Sequence, residues 1–137
     1  MQIARQLKSK KMRVIQGAVA ILSQLVETSP EILKNPMAET LPLLCRLVSD
    51  SSTTIPPTVR LDVLSFFSRL IKQTSDEQAQ NYATAILPAI ETSINDSFYK
   101  IVAEGLRQRY ILTFIYEFLF SRISNFNNFI NTVLYKY

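Results

Sequence analysis

The sequence predicts an all-α fold, an α-solenoid of about three helix pairs, and three observations carry that expectation. Apolar residues recur at three- and four-residue intervals along most of the chain, the mark of helices with one buried face. The 137 residues include only two glycines, Gly17 and Gly105, too few for an architecture of hairpins or phosphate-cradling loops. An apolar stretch followed by a polar turn and a basic residue occurs three times, at Arg13, Arg60 and Lys100, spaced 47 and 40 residues apart. At 47% hydrophobic and 19% charged residues, the chain has the composition of a packed fold rather than a disordered one.

A period of roughly 40–47 residues with two helices per unit is that of HEAT and armadillo arrays. The elements follow in order. Ile3 to Lys8 looks like the tail of a helix whose start is missing, so the first pair is expected to be incomplete. From Met12 to Thr28 the stripe Val14, Ala18, Ile21, Leu22, Leu25 and Val26 predicts a helix, ended by Ser29 and Pro30. Pro36 suits a first helical turn, and Leu41, Leu44, Leu47 and Val48 predict a helix running to Asp50. Ser51 to Pro57 reads as a loop, after which Val59 to about Thr74 is apolar enough to be buried on most sides. The third pair starts near Asp76 or Gln78, carries Ala83, Ile86, Leu87, Ile90 and Ile94, and is followed by a helix from Phe98 that Ser97 can cap. Pro42 and Pro88 occupy matching places in successive first helices, and each is expected to bend its helix. The expected units are 1–29, 30–75 and 76–121.

The segments VRLDVLSFFSRLI (Val59 to Ile71) and LPAIETSINDSFYKIVAEGL (Leu87 to Leu106) resemble consecutive HEAT repeats of the cullin-associated, neddylation-dissociated exchange factors. Ile3 to Leu33 is similar to the repeat just before them and Ala38 to Ser52 fills the gap, so the likeness covers about residues 3–106. The narrowest signals are RLDVLSF at Arg60 to Phe66 and NDSFYKI at Asn95 to Ile101. The resemblance implies a piece of a much longer, non-enzymatic solenoid that wraps an unneddylated cullin and its RING subunit. It implies a role in assembly of these ubiquitin ligases and exchange of their substrate receptors, in cytoplasm or nucleus. From Gln108 the likeness stops. Residues 108–137 hold nine of the fourteen aromatics and many asparagines. This divergent tail is expected to extend the last helix to about Ile123, end loosely, and derive from an alternative exon, a retained intron or a truncated gene model.

Candidate chemistry is sparse. The absence of histidine removes the commonest general base and metal ligand, so neither catalysis nor a cofactor is expected. Cys45 lies in the apolar run LPLLCRLV and reads as a buried, unreactive thiol. A net charge of +4 and a pI near 9.3 leave the basic residues spread out, with one dense run, Lys8 to Arg13, that reads as a turn; nucleic acid is not an expected partner. Tyr110 to Phe120 is the most apolar stretch and too short to span a membrane. Asp50 and Asp96 end first helices while Arg60 and Lys100 open second ones, so these charges, with Asp62, are expected to form a ladder between neighbouring units. Partner contacts are expected on the second helices, at Gln16 and Gln24, at Arg69, Lys72 and Gln73, and at Glu104 and Arg107, where polar side chains lie opposite the apolar stripe.

Overall fold

The computed structural model describes residues 2–50, 54–74 and 76–120, and among these every regular element is helical. Helix α1 is Gln2–Leu7, α2 is Met12–Thr28, α3 is Met37–Ser49, α4 is Pro57–Gln73, α5 is Asp76–Ile94 and α6 is Tyr99–Phe120. A 3-10 turn, Pro30–Leu33, follows α2 and buries Leu33. Prolines punctuate the chain where a missing N–H costs least: Pro36 precedes α3 and Pro56–Pro57 open α4. Helices α3 and α5 continue through Pro42 and Pro88, both on exposed faces. The looser end expected beyond Ile123 lies outside the described residues.

Packing sorts the helices into two layers. The first holds α1, α3 and α5, with α3 between the other two; the second holds α2, α4 and α6, with α4 in the middle. Hairpins α1–α2, α3–α4 and α5–α6 tie the layers together, and α4 also reaches α5. No pair could bury its apolar face alone, which makes stacking the source of stability.

The second layer repeats one burial pattern three times. Ile15, Val19, Leu22 and Val26 on α2 match Val59, Val63, Phe66 and Leu70 on α4, and Ile101, Gly105, Gln108 and Leu112 on α6, all buried at i, i+4, i+7 and i+11. The true offsets are therefore 44 residues from Ile15 to Val59 and 42 from Val59 to Ile101. This corrects the sequence reading in two ways. On α2 the core stripe runs through Ile15 and Val19, whereas Ile21 is 48% exposed and Val14 and Leu25 are half-buried. The three basic residues are also not equivalent: Arg13 and Lys100 are second in their helices and exposed, while Arg60 is fourth in α4 and largely covered.

Gly105 packs α6 directly against Ser93 of α5. A Cβ there would run into Ser93 Oγ and sit 3.3 Å from Ser93 Cβ, and Ser93 Oγ is held by donating to Ile90 O at 2.6 Å. Gly17 is the opposite case, exposed on α2 with nothing within 4 Å of an added Cβ. Gly105→Ala is expected to destabilise by about 1–2 kcal/mol, overpacking outweighing the gain in helix propensity. Gly17→Ala should stabilise by about 0.5–1 kcal/mol. Urea titrations of the two variants beside the parent check both signs.

Candidate protein-interaction face and inter-unit contacts

Two of the charges expected at the turns, Arg60 and Asp96, meet. Arg60 Nη1 donates to Asp96 Oδ2 at 2.7 Å, with only 11% and 8% of the two side chains exposed. Arg60 belongs to α4 and Asp96 to the α5–α6 turn, so the pair joins neighbouring hairpins. Asp96 Oδ1 also accepts from Phe98 N–H at 2.9 Å, ordering the approach to α6 in place of the expected cap at Ser97. The Arg60 guanidinium lies 5.6 Å from the Phe98 ring centroid. A cleft of about 540 Å³ opens beside the pair, lined by Asp50, Glu91, Thr92 and Asn95. Asp50 thus stands near the pair. Asp62 does not join it, because residues two apart on a helix point to different sides. Instead Asp62 lines a second cleft, with Val19, Ser23, Gln24, Ser65 and Arg69. Lys100 stands exposed at the start of α6.

That second cleft lies between α2 and α4 and gathers several expected partner residues. Gln24 and Arg69 line it, and Arg69 Nε is 3.7 Å from Glu27 Oε1 across its rim. One helix further on, Arg107 grips Glu104 with two parallel hydrogen bonds, Nε to Oε2 at 3.0 Å and Nη2 to Oε1. The Arg107 guanidinium holds the Glu104 carboxyl below its ordinary value, against the opposing effect of partial burial; Gln108 and the charge of Lys72 on α4 push the same way as Arg107. Glu104 in turn raises Arg107. A band of charge and amide groups therefore crosses α2, α4 and α6. Gln16 is half-buried at the α2 end of this layer. Gln73 is elsewhere, in a cleft with Pro30, Glu31, Lys34 and Tyr82.

Sequence reasoning missed Gln108. It is 3% exposed, fills the core position that Phe66 holds in α4, and its Nε2 donates to Leu64 O and to Glu104 Oε1, the latter at 3.0 Å. The 4-3-4 spacing from Ile101 through Gly105 to Leu112 was the signal that could have found it.

Cys45 is half-buried between α3 and α5, its Sγ 3.7 Å from Ala85 O. Burial pushes its pKa up to about 11, so the neutral thiol persists through physiological pH. Against a free cysteine near 8.5, iodoacetamide at pH 8 should modify Cys45 more than about 100-fold more slowly, and the rate should still be climbing at pH 10. Mass spectrometry of timed quenches measures both. Among the described residues no group of His, Cys, Asp or Glu could hold a metal ion, and no helix is long and apolar enough to cross a membrane.

A repeating two-layer helical stack is shared by many scaffolds, and comparison with known proteins decides among them. A family model described as CAND1-like, TPR repeats matches residues 31–115, more than half the chain. The chain belongs to that family. It is 29% identical over 104 residues to Cullin-associated NEDD8-dissociated protein 2 of Mus musculus, covering 76% of this chain and 8% of that protein. Cullin-associated NEDD8-dissociated protein 1 of Arabidopsis thaliana is 26% identical over 105 residues, 77% of this chain and 8% of the relative. The Dictyostelium discoideum protein of the same name is 26% identical over 114 residues, 82% of this chain and 9% of the relative. The chain thus spans less than a tenth of the length of these relatives, as a CAND1-like repeat segment related to cullin-associated proteins.

Proposed function

We propose that the chain is a non-enzymatic scaffold segment that contributes to holding an unneddylated cullin and its RING subunit, in the cytoplasm or nucleus. In this reading it supports assembly of the ligase and exchange of its substrate receptors. The observation that carries it is family membership over residues 31–115, joined to a second-helix face that presents Gln24, Arg69, Lys72, Glu104 and Arg107 along one band. Arg60 and Asp96 join successive hairpins with Asp50 lining the cleft beside them, Asp62 lies in the cleft with Gln24 and Arg69, and Lys100 stands exposed at the start of α6. Helices packed at fixed spacing offer a second helical protein charges at a fixed pitch, which sets register more than affinity.

The chain covers 8% of its mouse relative, so its share of a surface spread over many repeats is small. Binding of the isolated chain to an unneddylated cullin–RING complex is expected to be weaker than about 10 µM. Arg69→Glu with Arg107→Glu should weaken it further by at least about tenfold. Interferometry on the immobilised cullin complex tests this; nanomolar binding, or indifference to the two reversals, overturns the reading.

A further inference from the structure

We infer that the cleft between α2 and α4 receives an arginine side chain from a partner protein, with Asp62 as the carboxylate that grips it. The inference rests on how the second layer repeats. Three residues after Val59 on α4 stands Asp62, and three residues after Ile101 on α6 stands Glu104, so the two units place a carboxylate at the same point. One turn further on the helices part: α6 has Arg107 where α4 has Ser65. On α6 the carboxylate is answered from its own helix, Arg107 giving Glu104 two parallel hydrogen bonds from Nε and Nη2. On α4 the short, uncharged Ser65 cannot answer Asp62 in that way.

At that point α4 borders a cleft of about 290 Å³. Asp62 lines it, is exposed, and among the described residues has neither a hydrogen bond nor an ion pair. Arg69, the cation on the same face of α4, stands two turns on, about 10 Å along the axis, and lies 3.7 Å from Glu27. The cleft therefore holds one uncompensated negative charge, and its walls say which cation fits. A metal ion does not, since no group of His, Cys, Asp or Glu among the described residues could hold one. A guanidinium offers five N–H donors in one plane: two meet a carboxylate side by side, and the rest have the Ser23 and Ser65 hydroxyls and the Gln24 carbonyl as acceptors in the same cleft. Val19 and Ala20 give its aliphatic stem an apolar wall. A lysine ammonium would meet Asp62 as a point charge and leave most of these acceptors unused. The partner thus supplies from outside what Arg107 supplies within α6. Only the identity of that partner as the cullin complex rests on the function proposed above.

NMR titration of the ¹⁵N-labelled 137-residue chain with N-acetyl-arginine methylamide, and separately with its lysine counterpart, tests the cleft directly. The arginine probe is expected to shift the amides of Ser23, Gln24, Asp62 and Ser65 saturably, and the lysine probe to bind at least about threefold more weakly. Asp62→Asn should abolish the shifts by removing the charge, and Ser65→Arg should abolish them by placing a guanidinium beside Asp62 as Arg107 stands beside Glu104. Circular dichroism melts establish that both variants are folded. Shifts scattered over the surface, an equal response to the two probes, or shifts that survive either substitution overturn the inference. In a second arm, each variant should weaken binding to the unneddylated cullin–RING complex by about fivefold. A complex that binds parent and variants alike overturns the inference as well. A complex that does not bind the parent removes the cullin reading alone, and the arginine titration then decides the cleft by itself.

Discussion

Arg60→Met is expected to lower the free energy of unfolding by about 3 kcal/mol at neutral pH, one of the two largest effects of any single substitution considered. Methionine keeps most of the volume and removes the charge, so the loss reports the Asp96 carboxylate left unpaired at 8% exposure. The neighbouring cleft gives water some access to that carboxylate, which argues for the lower end of the range for broken buried pairs. The contact with Phe98 goes too. Asp96→Asn retains an acceptor for Phe98 N–H and should cost less. The double variant Arg60→Met, Asp96→Asn should recover much of the single loss, because no uncompensated charge remains. A double-mutant cycle in urea measures the coupling. Additive losses would mean that the pair does not join the second and third hairpins.

Phe66→Ala should cost about 4 kcal/mol. Phe66 is 0% exposed in the third position of the repeated stripe on α4, the helix that lies between α2 and α6, and its ring packs 6.4 Å from that of Phe67. Neighbours from two hairpins meet there, so the cavity can collapse only partly. Against a total of about 5–15 kcal/mol for a domain, either substitution consumes a large share. Thermal unfolding followed by circular dichroism gives the shift for each.

Helix positions, the all-α class and the family were legible in the sequence because each rests on local pattern. On α3 the expected Leu41, Leu44, Leu47 and Val48 are all buried, and Met37 and Thr40 join them from the first turn. On α2 the expected Ala18, Leu22 and Val26 are buried, but Ile15 and Val19 were passed over for Val14 and Ile21, because all four are apolar and two faces of that helix look equally fit for a core. Only the position of α4 chooses between them. The basic residues looked periodic in sequence, yet only Arg60 reaches across to a neighbouring turn, since its place one turn into α4 brings it beside Asp96 while Arg13 and Lys100 sit at helix starts. Gln73 followed Lys72 into the expected partner set, but one residue is about 100° of helix, enough to carry it to another cleft. Gln108 looked like the start of a divergent tail, although α6 passes through it unbroken and the core takes it in. A polar residue on a core stripe is the kind of exception that only its partners, here Leu64 O and Glu104, can explain.

The most direct measurement follows the backbone amides of the ¹⁵N-labelled chain by NMR while an unneddylated cullin–RING complex is added. Weak, fast-exchange shifts are expected on the second-helix band, at Gln24, Arg69, Lys72, Glu104 and Arg107, with Gln73 and the outer faces of α3 and α5 unmoved. Shifts confined to α3 and α5, or no shifts at millimolar partner, would contradict a cullin-facing role for this face.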